Sequence, residues 1–117
     1  MFHIVWLPKY RKKILEGKVK VRLEQVLREC AEINKWEIQE LNIQLDHVHL
    51  LIQLPPSISV SKAVQFLKGL SSNIIRSELS QEIKHMLWGK DFWADGFFSE
   101  AVGTCTEENI RNYIRNQ

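Results

Sequence analysis

Two histidines separated by a single residue, His47 and His49, are the side chains of this sequence best suited to chemistry. They belong to a run, Asp46 to Leu54, whose residue types alternate as in a half-buried strand. The two imidazoles therefore point to one face, and Val48 and its alternate neighbours point to the other. Two nitrogen ligands side by side suit a divalent metal. Paired histidines on a strand also form hydrogen bonds without metal, so the spacing alone leaves both interpretations open.

A basic segment near the start of the chain is the second candidate. Residues 1–35 hold nine Lys/Arg and four Asp/Glu, whereas residues 36–117 hold seven and ten. The basic residues cluster around one aromatic ring in Lys9, Tyr10, Arg11, Lys12 and Lys13. Such a cluster suits contacts with DNA phosphates while a base or sugar rests on the ring. A solvated loop has the same composition, and the segment alone does not decide between the two.

Length and composition limit the class of protein. A chain of 117 residues with 44% hydrophobic and 26% charged residues is typical of one globular domain, 1–117. No apolar run approaches the roughly 18 residues of a membrane span, and no signal segment precedes the first strand. Cys30 and Cys105 lie far apart, and Cys30 falls on an apolar helical stripe, which indicates a buried free thiol. We therefore expect a cytoplasmic protein without a membrane partner.

The apolar patterns predict the element order β-α-β-β-α-β, followed by a terminal helix. Strands are predicted at 2–7, 36–43, 46–54 and 97–102. Three helices are predicted: the first spans 18–34, the second begins after capping residues at 57–61 and ends near 79, and the third runs from about 105 to the end. Residues 81–96 are predicted to be irregular, with a short helix near 83–88. This order indicates an α+β, ferredoxin-like antiparallel sheet with its helices on one face. The other sheet face, carrying His47 and His49, is expected to be open.

The predicted terminal helix carries Tyr113 and Gln117, which are four residues apart and so lie on one helical face. A tyrosine oxygen attacks a phosphodiester when a metal polarises the phosphoryl oxygen, and an amide oxygen is a suitable further ligand. The alternative is that Tyr113 is an ordinary amphipathic packing residue.

Four separated motifs, in this order along nearly the whole chain, carry a family resemblance. They are Ile4-Val5-Trp6 with Pro8 to Lys13, Asp46 to Leu51, Phe66-Leu67-Lys68-Gly69, and Tyr113 to Gln117. Together they resemble the single-tyrosine HUH transposases, the TnpA-type enzymes of the insertion sequence 200/605 family. The resemblance implies metal-dependent cleavage and rejoining of single-stranded DNA at hairpin-marked element ends, through a 5′-phosphotyrosine intermediate.

The resemblance also implies roles for individual residues. It makes His47, His49 and Gln117 the metal ligands, Tyr113 the nucleophile, and Asp46 a partner that supports the ligands. The implied cofactor is Mg²⁺ or Mn²⁺. One phosphodiester is exchanged for another, so no nucleotide cofactor is expected, and the sequence has no Walker-type glycine loop.

The same resemblance implies a homodimer in which the terminal helix brings the tyrosine to the histidine pair of the other subunit, with Gly103 as a hinge. A plain turn is an equally economical role for that glycine. Compared with the members it resembles, we expect the chain to start at the first strand without the short leader that many carry, and to stop at Gln117, where they usually continue. The missing tail is expected to weaken packing of the tyrosine helix.

Two other classes of protein fit parts of the sequence. A histidine-type phosphoesterase would continue the histidine alternation, but the next residue on the same face is Leu51. A catalytically silent DNA- or RNA-hairpin-binding protein would keep the basic segment and need neither Tyr113 nor Gln117. The sequence leaves this second alternative open.

Overall fold

A four-stranded antiparallel sheet organises the computed structural model, which describes residues 1–85 and 91–103. The strands are β1 (Phe2–Trp6), β2 (Glu37–Gln44), β3 (His47–Gln53) and β4 (Phe98–Ala101), in the spatial order β2-β3-β1-β4. The helices are α1 (Gly17–Asn34), α2 (Val60–Glu78) and the short α3 (Ser80–Ile83), and a 3₁₀ turn spans Lys9–Arg11. The predicted ferredoxin-like α+β architecture is confirmed. The terminal helix predicted from about residue 105 lies outside the described residues.

The core lies between the sheet and the two long helices. Alternation along β3 buries Val48, Leu50 and Ile52 on the helix side, and Ile4 of β1 stands opposite Leu50 in the strand register. Fully burying one such aliphatic side chain contributes about 1.5–3 kcal/mol, so this face holds the strand in register. The helices contribute apolar residues at helical spacing, which include Val19, Leu23, Leu27, Ala63, Val64 and Leu67. Leu70, which the spacing also predicts on the buried stripe of α2, is 40% exposed.

The helix boundaries follow from local chemistry. Ser59 caps α2, because its hydroxyl accepts a hydrogen bond from the backbone N–H of Lys62 at 3.1 Å. At the start of α1, Gly17 has a φ of +56°, a left-handed conformation that glycine adopts without steric cost. Neither long helix is apolar enough to cross a membrane, and the same holds for every helix in the described residues.

The segment before β4 begins with the short helix Ser80–Ile83, and the next two residues form a turn. Residues 86–88 of the helix predicted near 83–88 lie outside the described residues. Further along, Phe92 and Trp93 are buried. The indole N–H of Trp93 donates to the Ser71 hydroxyl at 3.0 Å, while its ring packs edge-on against Trp6. Contacts with residues far away in the sequence, on β1 and α2, therefore bury Trp93, and local periodicity does not report such contacts.

The sheet face away from the helices was expected to be exposed to solvent, but the side chains at its centre are buried. On this face the row Glu40, Leu51, His3 and Glu100 crosses the sheet through cross-strand pairs. Its two ends on the edge strands are exposed, whereas Leu51 is 0% and His3 1% exposed. The expectation was wrong at the centre of this face, because alternation along one strand reports which side chains share a face and not what packs against them.

Candidate functional site

The histidine pair lies at the start of β3, on the face predicted for it. The ring centroids of His47 and His49 are 4.6 Å apart and their planes meet at 79°. The side chain of His47 is 27% exposed, and that of His49 is partly buried. The strand thus brings two imidazoles together at the boundary between the buried part of the sheet and solvent.

Asp46 holds the first of these rings. Its Oδ1 lies 2.7 Å from His47 Nδ1, and Arg11 donates to its Oδ2 at 3.2 Å. The hydrogen bond with His47, assisted by the positive charge of Arg11, lowers the pKa of the Asp46 carboxyl. Asp46 is therefore a carboxylate at neutral pH. A carboxylate on one ring nitrogen orients an imidazole so that its other nitrogen faces a ligand.

His3 of β1 holds the second ring. Its Nε2 lies 3.3 Å from His49 Nδ1, and the two rings stack with centroids 5.5 Å apart and planes 13° from parallel. Burial lowers the pKa of both His3 and His49, and the nearby imidazole of His47 lowers that of His49 further. His49 is therefore neutral at physiological pH, the form in which a histidine binds metal.

Sequence reasoning missed His3. The residue is the single polar side chain of β1, between Phe2 and Ile4, and this was the available signal. A strand that buries a lone imidazole must satisfy its polar atoms, which points to a partner elsewhere in the sheet. The sequence could not name that partner, because His3 and His49 are 46 residues apart.

The donor set fits part of a metal site. The hydrogen bonds of the described residues use Nδ1 of both His47 and His49 and leave Nε2 of both rings for a ligand. Residues 1–85 and 91–103 contain no group of three or more His, Cys, Asp and Glu side chains suited to a metal. The pair therefore needs additional ligands. Gln117, predicted to be the third, and Tyr113 both lie outside the described residues.

The basic segment lies beside the histidine pair. The backbone N–H of Lys9 donates to the Phe92 carbonyl at 3.0 Å, which fastens the 3₁₀ turn to the segment before β4. From this turn, Arg11 reaches Asp46, the neighbour of His47. Arg11 and Asp46 are 35 residues apart in the sequence. The fold therefore brings the basic segment and the histidine pair together at one site.

Within the basic segment the cations differ in how they are paired. Lys9 lies 3.6 Å from Asp91, and Arg11 is paired with Asp46. Among the described residues, no acidic side chain pairs with Lys12 or Lys13. Tyr10 is 74% exposed, on a backbone held at a φ of +60°. Arg11 and Lys13 are exposed as well. Exposed cations beside an exposed aromatic residue are features of surfaces that bind single-stranded nucleic acid.

Lys68, from the third sequence motif, is engaged with the backbone. Its Nζ donates to the carbonyls of Ala94 and Gly96 at 2.7 and 2.8 Å. Burial lowers its pKa, and the charge of Asp95 opposes that shift. Lys68 fixes the chain before β4 to α2, and it lines a groove of about 460 Å³ between them.

Comparisons with known proteins agree across the whole chain. A family model described as "Transposase IS200 like" matches residues 1–117. The transposase for insertion sequence element IS200 of Salmonella typhimurium is 33% identical over 116 residues, which are 99% of this chain and 75% of the relative. The ISDra2 transposase TnpA of Deinococcus radiodurans is also 33% identical, over 99% of this chain and 82% of the relative.

Solved structures give the same fold. A crystal structure described as a transposase of Deinococcus radiodurans R1 has a TM-score of 0.78 and 32% identity, covering 99% of this chain and 88% of the other. A REP-associated tyrosine transposase bound to a REP hairpin has a TM-score of 0.67 at 14% identity, covering 97% of this chain and 61% of the other. The second likeness concerns the fold alone.

Proposed function

Because this chain belongs to the IS200-like transposase family, we propose that it cleaves and rejoins single-stranded DNA at hairpin-marked element ends, through a tyrosine nucleophile. The observation that carries the proposal is the oriented histidine pair. Asp46 and His3 each engage one Nδ1, which leaves the two Nε2 atoms of His47 and His49 for a shared ligand. A pair that only stabilised the fold would not need this arrangement at the solvent boundary.

His47 and His49 would hold a divalent cation, with Gln117 as the proposed third protein ligand. When bound, the cation would polarise a phosphoryl oxygen and stabilise the charge that develops there. Imidazole nitrogen suits Mn²⁺ better than Mg²⁺, which prefers oxygen ligands. The two nitrogens therefore favour Mn²⁺ within the pair of metals that the family resemblance implies.

Tyr113 supplies the nucleophile in this proposal. Its phenol oxygen forms a bond to phosphorus while the bond from phosphorus to the deoxyribose 3′ oxygen breaks. The phenol loses a proton and the departing 3′ oxygen gains one, which leaves a 5′-phosphotyrosine and a free 3′-OH. A 3′-OH on another strand reverses the step. The energy of the first phosphodiester is conserved, so the exchange needs no nucleotide cofactor.

The basic segment is the proposed contact surface for the DNA backbone. Its link to Asp46 through Arg11 places positive charge next to the histidine pair, where a scissile phosphate would have to lie. Lys12 and Lys13, which pair with no described acid, are the cations best placed to exchange counterions for phosphates. Tyr10 offers an exposed ring on which a base can stack.

We also propose that the active protein is a homodimer in which Tyr113 of one subunit acts at the histidine pair of the other. Support comes from the family resemblance. The sequence adds the apolar residues Ile110 and Ile114, which flank the tyrosine at helical spacing.

A covalent adduct tests the central proposal. Wild-type protein with Mn²⁺ and a single-stranded oligonucleotide containing an element end should form a protein–DNA adduct that survives denaturing electrophoresis. Tyr113→Phe should abolish the adduct and retain hairpin binding, because it removes one oxygen and keeps the ring. Tyr10→Phe is the matched control, since the chain has two tyrosines.

The outcomes separate the alternatives. An adduct that persists in Tyr113→Phe and disappears in Tyr10→Phe would transfer the nucleophile to Tyr10. Tight hairpin binding without any adduct in the wild type, with Mn²⁺ or Mg²⁺, would favour the catalytically silent hairpin-binding protein.

A further inference from the structure

His3 occupies a position that the proposed reaction does not itself explain. It lies in the middle of the sheet on β1, is 1% exposed, and touches a residue of the histidine pair. Its stacking on His49 and the edge-on contact of Phe98, with ring centroids 6.4 Å apart, enclose it from two strands. The ring is therefore held in one place by packing before any ligand binds.

A buried imidazole at this position costs stability relative to an aliphatic side chain, because its polar atoms must be desolvated and paired. The cross-strand neighbour Leu51, on the same face, is apolar and fully buried, so this part of the face is not polar throughout. One interaction that histidine offers and leucine does not is a hydrogen bond to His49.

Only one of two proton arrangements in this bond is compatible with a metal ligand. A metal-binding imidazole is neutral, and in the 3.3 Å contact between His3 Nε2 and His49 Nδ1 one nitrogen donates and the other accepts. If His49 Nδ1 donates, His49 Nε2 carries a lone pair. If His3 Nε2 donates instead, His49 Nε2 must carry the proton, and no ligand nitrogen remains on that ring.

We infer that His3 is a positioning residue, which accepts the Nδ1 proton of His49 and so holds the His49 Nε2 lone pair ready for the divalent cation. This inference rests on the proposed metal site and deepens it. For His47 the corresponding partner is a carboxylate, Asp46, which binds its Nδ1 at the solvent boundary. A buried carboxylate at the position of His3 would be costly to desolvate, whereas a neutral imidazole accepts the proton without adding charge.

Nitrogen-15 NMR of the metal-free protein tests the tautomer directly. A ring nitrogen with a proton and one with a lone pair have well-separated shifts, so the state of His49 is readable without any activity. We expect His49 in the wild type to carry its proton on Nδ1, and His3→Leu to populate both tautomers. A wild-type His49 protonated on Nε2 would overturn the inference, even if every His3 variant failed to fold.

Mn²⁺ affinity, measured by isothermal titration calorimetry, is the second readout. His3→Leu should weaken Mn²⁺ binding by about 10–100-fold, the usual effect of losing a hydrogen-bond partner of a metal ligand. His3→Gln should bind within about threefold of wild type, because its amide oxygen can accept the same proton. Leu51→Val is the matched control, since it perturbs the same buried face without touching this hydrogen bond.

The controls distinguish failure of this inference from failure of the metal site. If the wild type binds Mn²⁺, His49→Ala loses it, and folded His3→Leu binds as tightly as wild type, the metal site stands and the role of His3 is refuted. If the wild type and His49→Ala bind Mn²⁺ equally, or neither binds, the metal site itself is refuted, and the inference about His3 falls with it.

Discussion

Asp46→Asn is the substitution that probes the histidine pair from its solvent side. The carboxylate lies 2.7 Å from His47 Nδ1, the length of a charge-assisted hydrogen bond, and the amide that replaces it is neutral. Loss of such a partner weakens metal binding by about 10–100-fold. Asp46 is 22% exposed and shares its charge with Arg11, and an amide oxygen still accepts the proton. These features place the expected loss at the lower end, about tenfold.

Calorimetric titration of Mn²⁺ at about pH 7.5 measures this loss, with thermal unfolding as the check on folding. Arg11→Gln is the matched control, because it removes the 3.2 Å ion pair and leaves the hydrogen bond to His47. Arg11 is 68% exposed, and surface ion pairs contribute little, so its affinity should stay within about twofold of wild type. Folded Asp46→Asn with wild-type affinity would refute the reasoning. An equal loss in Arg11→Gln would assign the effect to surface charge.

Three further predictions concern DNA binding, assembly and pH. Replacing Lys12 and Lys13 by Gln should weaken binding to all hairpins and flatten the plot of log affinity against log salt by about two units at most, and an unchanged slope would identify a solvated loop. Mixing His49→Ala and Tyr113→Phe chains should restore adduct formation if the tyrosine acts on the partner subunit, whereas a demonstrably mixed but inactive heterodimer would place it on its own subunit. Burial lowers the pKa of His3 and His49 in the folded protein, so below about pH 6.5 the unfolded chain binds more protons, and stability falls with falling pH. The urea midpoint of the metal-free wild type should therefore be lower at about pH 5.5 than at about pH 7.5, with a smaller difference in His3→Gln; equal differences in both proteins would contradict the contribution of His3.

The sequence by itself determined which faces the strands and helices present. Alternation in β3 assigned Val48 and its alternate neighbours to the core and the two histidines to the opposite face, and burial confirms the core assignment. The two long helices were equally readable, because their stripes repeat over four or more turns. Local periodicity is strong where one side of an element is buried and the other is not.

The family could also be predicted from the sequence, but for a different reason. Four short motifs, separated along the chain, had to occur together and in order, and the comparisons over the whole chain confirm the family they indicated. The roles of Tyr113 and Gln117 stay predictions, since both residues lie outside the described part of the chain. The same holds for the homodimer and the metal.

Only the tertiary structure decided which side chains meet at the site. Alternation fixes the face of His3 and of His49, but their contact depends on the register of β1 against β3, in which Val5 stands opposite His49. Likewise, Arg11 meets Asp46 because the 3₁₀ turn is fastened to the segment before β4. These pairings join residues dozens of positions apart. Pairwise strand register and long-range packing set them, and local sequence patterns do not encode either.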